Sequence, residues 1–122
     1  MQAKATLDSF TFHQPVAELP VRDVERAQAH YRDKLGFEVG WLYPGGEVGS
    51  VHRDDAAIFF RRRSGAFEPA VHWVYAPDIE TIYAALRDSG ASIVEPLEQK
   101  PWGLTQFTVE DLDGNRFYFH RD

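Results

Sequence analysis

The chain contains no cysteine, which rules out both a disulfide framework and a thiolate metal site. No apolar run approaches the roughly 18 residues that a membrane-spanning helix needs, so no membrane span is expected. The opening Met1-Gln2-Ala3-Lys4 has no apolar signal core, and a cytoplasmic protein is the expectation. Cations are the minority: 13 Lys and Arg stand against 19 Asp and Glu, for a formal net charge of −6. A nucleic-acid surface needs clustered cations to meet phosphate. The one basic run, Arg61-Arg62-Arg63, reads instead as a solvated strand end. Net acidity would steer cationic ligands toward the protein.

Aromatic residues are plentiful. Three Trp, five Tyr and nine Phe make up 14% of the 122 residues. Most must be core, but an indole N–H is costly to bury without a partner. Three Trp in a chain this short therefore point to a pocket or an interface. The length fits one domain of residues 1–122, built from two halves.

Those halves are visible as a repeat. Asp23-Val24-Glu25-Arg26 opens a helical stretch reaching Arg32-Asp33, and Asp78-Ile79-Glu80-Thr81 opens another reaching Arg87-Asp88. Gly36 and Gly90 follow them, and a short apolar run precedes each. A duplication of this size means two similar modules around a shared site. Module one runs over about 13–63, a linker with Gly65 and Pro69 over 64–70, and module two over about 71–122.

Within module one, Asp23 is the expected N-cap of a helix over about 24–34, with Val24, Ala27, Tyr31 and Leu35 as its buried stripe. Alternation from Phe37 to Tyr43 reads as a strand, and residues 48–52 and 56–62 as a hairpin around Asp54-Asp55. Module two repeats the plan: a strand at 71–76, a helix from Asp78 to about Ser89, and strands at about 92–97, 104–110 and 115–120. Asp113-Gly114-Asn115 is a tight-turn signal between the last two. Residues 1–12 read as a loose tail with Phe10 and Phe12 as anchors. The fold class is α+β: two βαβββ modules forming a curved mixed sheet with one helix per module.

Strand parity assigns faces. Phe107, Val109, Phe117 and Phe119 suit the helix side, leaving Gln106, Thr108, Arg116, Tyr118 and His120 to line a cavity. His72, Val74 and Ala76 share one face of their strand, and Val71, Trp73 and Tyr75 the other. Glu18 lies with Val16 and Pro20, opposite Leu19 and Val21.

The stretches Leu19-Pro-Val-Arg-Asp-Val-Glu-Arg26, Tyr31-Arg-Asp-Lys-Leu-Gly-Phe-Glu38 and, most specifically, Pro101-Trp-Gly-Leu-Thr-Gln-Phe-Thr-Val-Glu-Asp-Leu-Asp-Gly-Asn115 resemble the vicinal oxygen chelate superfamily of glyoxalases, bleomycin-resistance proteins and extradiol dioxygenases. The resemblance covers about 14–120. It implies paired βαβββ modules, a homodimer and cup-shaped sites. In the metal enzymes of the superfamily, four inward positions carry His or Glu. Carried over by resemblance, these fall at Val16, Phe59, His72 and Tyr118, of which only His72 is a good ligand. A displaced alternative would use Glu18, His72 and His120 for a divalent metal.

With the ligands replaced, the cup becomes apolar and aromatic, suited to a planar organic ligand. The resemblance is closest to bleomycin-resistance proteins, which bind a flat, cationic drug without chemistry and carry a Trp-Gly pair like Trp102-Gly103. The expectation is therefore a binding protein with no catalytic residues and no cofactor. Its expected ligand-binding residues are Trp102, His72, Phe59, Tyr118, Trp41, Tyr43, Glu18 and Gln106, and its expected partners are a second copy and a small aromatic or cationic molecule. The alternative is a metal-dependent lyase, isomerase or dioxygenase. His13, His30 and His52 read as solvated, and Trp73 as structural.

Overall fold

The computed structural model describes residues 6–122; the first part of the expected tail, including Met1 to Lys4, lies outside them. The order is β1 (Ala17–Val21), α1 (Val24–Leu35), β2 (Glu38–Leu42), β3 (Val48–Arg53), β4 (Ala56–Arg62), then β5 (Val71–Tyr75), α2 (Ile79–Ser89), β6 (Ser92–Gln99), β7 (Thr105–Glu110) and β8 (Arg116–Arg121). This is βαβββ twice. The mixed sheet is divided into two four-stranded sheets, one per module, ordered β1-β4-β3-β2 and β5-β8-β7-β6. In each, the first strand runs parallel to the last and the others pair antiparallel.

Local chemistry explains the helix limits. Asp23, in extended backbone, accepts a hydrogen bond from the Arg26 N–H, so α1 has a side-chain N-cap. Gly36 closes α1 at φ 73° and Gly90 closes α2 at φ 86°. That left-handed conformation is one that glycine adopts without steric cost. Asp78 precedes α2 but makes no capping bond. Glu25 and Glu80 lie in the first turns and Arg32, Lys34 and Arg87 in the last, the charge order that the helix dipole favours.

Both helices pack on the same side of their sheets and share one core. Leu19, Val21, Val24, Ala27, Tyr31, Leu35, Val51, Ile58 and Phe60 from module one join Ile79, Leu86, Phe107, Val109 and Phe117 from module two. Tyr31 sits at the join, its ring edge-on to Phe37, Phe60 and Phe117. The buried burden is unequal. α1 buries Val24, Ala27, Gln28, Tyr31 and Leu35, whereas α2 buries only Ile79 and Leu86.

A polar seam locks the modules together. The Asp111 carboxylate accepts from the Tyr31 hydroxyl at 2.7 Å and from the Asn115 side chain at 3.0 Å. Asn115, fully buried, also donates to the Pro20 carbonyl and accepts from the Ala70 N–H. Burial is tolerable because these groups satisfy one another. It also pushes the Tyr31 phenol well above its ordinary pKa, helped by the Asp111 charge. Arg22 fastens the linker: its guanidinium bonds the Gly65 carbonyl and lies over the Phe67 ring.

The tail departs from expectation. Residues 6–16 form no regular element, and Phe10 and Phe12 are exposed, touching one another rather than anchoring to the core. Among the described residues, no helix is long and apolar enough to cross a membrane.

Candidate functional site

The faces turned away from the helices form the candidate site. Register defines them, because residues paired across a sheet point to the same side. In module two, Trp73 pairs with Tyr118 and Tyr118 with Thr108, which in turn pairs with Glu95. The next row is Tyr75, His120, Gln106 and Glu98. The rings make contact: Trp73 lies 4.7 Å from Tyr118 between centroids, and His120 sits 5.7 Å from Trp73 and 5.8 Å from Tyr75. Trp73 is 52% exposed and Tyr75 60%.

Trp102, in the turn between β6 and β7, is 62% exposed yet fixed in place. Its indole N–H donates to the buried Gln106 side-chain oxygen at 2.9 Å. The ring is thereby held against this face with its apolar surface open. Thr108, fully buried beneath the face, donates its hydroxyl to Glu95 at 2.6 Å.

In module one, Glu18 pairs with Phe59 and Phe59 with Ser50. Trp41 packs edge-on against Phe59 at 5.1 Å, and its backbone N–H bonds the Ser50 hydroxyl. Glu18 is not a free carboxylate. Arg61 bonds it at 2.8 Å and Arg63 approaches to 3.9 Å, so two residues of the supposed solvated run are spent neutralising it. Tyr43 lies beyond the end of β2, where its N–H and carbonyl close the turn to Val48 and Gly46.

The residues predicted from sequence divide accordingly. Phe59, Trp41 and Glu18 stand together on one face, and Tyr118, Gln106 and Trp102 on the other. His72 belongs to neither. It pairs with Phe117 and lies 5.9 Å from its ring, on the helix side, with Nε2 buried and without a hydrogen-bond partner. That burial lowers its pKa. The displaced set Glu18, His72 and His120 is therefore not assembled: His72 faces away from the other two, and among the described residues no group of three His, Cys, Asp or Glu could hold a metal. With Phe59 and Tyr118 on the open faces and Glu18 held by arginines, the residues present do not fit the metal used by enzymes of the superfamily.

Trp73 and Tyr75 were missed as site residues. The signal was available, since Trp73 has the parity opposite to His72 and a parallel β5–β8 pairing puts it beside Tyr118. His30 is half-buried rather than solvated, with Nε2 unpartnered and its pKa lowered by burial. His52 pairs with Glu38 at 2.9 Å.

A separate cavity of about 370 Å³ lies on the helix side, between α2, β5 and the β3–β4 turn. Val74, Ala76, Ile82, Leu86 and Phe119 line it, with Leu35 and Phe37 from module one. It is apolar, apart from Arg53, Asp54 and Asp55 at its edge.

This duplicated architecture, with two open sheet faces and a shared core, defines a paired-βαβββ protein. The family model of the Glyoxalase/Bleomycin resistance protein/Dioxygenase superfamily matches residues 11–119, and the chain belongs to that superfamily. Among solved structures, TioX from Micromonospora sp. ML1 is 26% identical, with 90% of this chain and 98% of that one covered at a TM-score of 0.78. A bleomycin resistance determinant encoded on the transposon Tn5 is 20% identical, with coverage of 91% and 98% and a TM-score of 0.80. The bleomycin-binding protein from bleomycin-producing Streptomyces verticillus, complexed with copper(II)-bleomycin, is 22% identical, with coverage of 90% and 96% and a TM-score of 0.77. No curated protein matches the chain.

Proposed function

We propose that this protein binds and sequesters a planar aromatic or cationic small molecule, without chemistry and without a metal, as a cytoplasmic homodimer. The observation that carries the reading is the pair of aromatic faces: Trp41 with Phe59, and Trp73 with Tyr118 beside the tethered Trp102. Rings held edge-on or tilted by neighbours, with one surface open, offer stacking and cation–π attraction at little entropic cost. The occurrence of bleomycin-binding proteins among similar structures supports a drug-like ligand and makes bleomycin the first to test.

The homodimer is supported by what a single chain leaves open. Apart from the ligand rings, Val16 beside β1 and Val71 on β5 are exposed. β1 and β5 are edge strands with unpaired backbone groups, which a second copy would cover.

Two measurements test the reading. Tryptophan fluorescence should be quenched by planar cations in the parent protein, and Trp102→Ala should lose that response; an unchanged titration in the variant would remove Trp102 from the site. Elemental analysis after incubation with Ni²⁺, Zn²⁺, Mn²⁺ or Fe²⁺ and desalting should find no retained metal. About one metal per chain would overturn the metal-free reading and direct attention to lyase and dioxygenase assays.

A further inference from the structure

The sequence pointed to Glu18 as the acidic residue of the site, but Glu18 is neutralised by Arg61 and Arg63. The charge available to a ligand lies elsewhere. On the open face of module two, Glu110 is paired with Arg116 at 3.0 Å. Glu98 holds the Lys100 ammonium at 2.7 Å. That bond raises the Lys100 pKa, and the Glu98 and Glu95 charges both add to the rise, while the ammonium bonds Glu98 alone. Glu95 makes no ion pair of its own among the described residues, and its one side-chain bond comes from the neutral Thr108 hydroxyl. Glu95, Glu98 and Lys100 together thus carry one uncompensated negative charge.

Glu95 is also placed in line with the rings. It ends the transverse row Glu95, Thr108, Tyr118, Trp73, one residue from each strand of the sheet. Strands lie about 4.8 Å apart, and the Thr108 bond draws the Glu95 carboxylate over β7, so it lies about 5 Å from the Tyr118 strand and about 10 Å from that of Trp73. The row reads as carboxylate, hydroxyl, phenol and indole, charged at one end and aromatic at the other.

We infer that Glu95 recognises the cationic nitrogen of a two-part ligand: a flat ring that stacks on Tyr118 and Trp73, joined by an arm of about 5–10 Å to an amine or guanidinium that reaches Glu95. This rests on the reading of the face as a ligand surface and adds the ligand's shape and charge. A half-buried carboxylate meeting a cation gives a stronger charge-assisted bond than a neutral pair does, while the rings set the orientation.

The test uses two probes that differ in one group: an acridine with an aminoalkyl arm of about that length, and the same acridine ending in a hydroxyl. Both are titrated by fluorescence against the full-length protein and against Glu95→Gln, which keeps an oxygen for Thr108 and removes only the charge. The amino probe should bind the parent at least 10-fold more tightly than the hydroxyl probe, and Glu95→Gln should erase that difference while leaving the hydroxyl probe within about 2-fold. The hydroxyl probe thus reports whether the variant is folded. An equal loss for both probes, or no change for either, overturns the assignment of Glu95 while leaving the aromatic site standing. Failure of both probes to bind the parent overturns the ligand reading itself, as expected if a second copy covers the row.

Discussion

The two modules share one plan but not one packing. In module one the helix is capped by Asp23, lays five buried side chains on its sheet and places Tyr31 in the common core. In module two the Asp78 side chain makes no cap, α2 buries two residues, and an apolar cavity of about 370 Å³ remains beside it. The open faces differ as well. Module one offers Trp41 and Phe59 beside a neutralised Glu18, whereas module two offers Trp73, Tyr75, Tyr118 and Trp102 beside Glu95. Duplication thus supplies two sheets, of which one is the more fully packed by its helix and the other leaves more aromatic surface open.

The contrast can be attacked first at the seam that joins the modules. Asn115→Ala removes bonds to Pro20, Ala70 and Asp111 in a fully buried setting. It should cost about 3 kcal/mol, since the partners lose satisfaction as well, and urea denaturation should show a lower midpoint. Separate transitions for the two halves would show that the modules are coupled mainly through this seam.

The recognition asymmetry comes next. Trp73→Ala should weaken binding of planar cations about 10-fold, or about 1.4 kcal/mol, and Trp41→Ala by less, in parallel fluorescence titrations. Both residues are about half exposed, so their variants should retain the parent's thermal stability closely. A larger loss at Trp41 would reverse the assignment of the stronger face.

Capping gives a smaller and sharper contrast. Asp23→Ala should cost about 1 kcal/mol, while Asp78→Ala should change the urea midpoint little, because no capping bond is lost. Equal costs would remove the difference in helix termination between the modules.

The smallest effect is on pH dependence. Burial lowers the pKa of His30 and His72 below the ordinary 6.5. The unfolded chain therefore takes up protons first as pH falls below 6.5, and stability from these groups declines through that window until the folded pKa values are passed. Above 6.5 both states are neutral at these positions and the effect vanishes. Replacing His72 with Phe should flatten the decline in urea midpoint between pH 7 and 5; an unchanged slope would assign it to other groups.

Much of the fold was legible because periodicity and caps are local. Asp23, Gly36 and Gly90 mark helix ends, and the alternation of Phe107, Val109, Phe117 and Phe119 gives the core side of β7 and β8. The candidate site was legible only in part, because it depends on register between strands far apart in the chain. Carrying over a family position put His72 in the cup, but the parallel pairing of β5 with β8 turns it to Phe117 and brings Trp73 to Tyr118. Glu18 looked available because its partners, Arg61 and Arg63, come from β4 and just beyond it. Irregular register between β6 and β7 likewise governs where Glu95 points, and simple alternation along β6 does not reveal it.

Binding of a flat cation by these faces, with no metal involved, is open to direct measurement. The most direct test is a tryptophan fluorescence titration of the folded protein, in EDTA, with planar organic cations and metal-free bleomycin. Quenching should be saturable, reach one ligand per chain and be lost in Trp102→Ala. A flat response to every ligand in EDTA, or quenching that appears only when a divalent metal is restored, would contradict it.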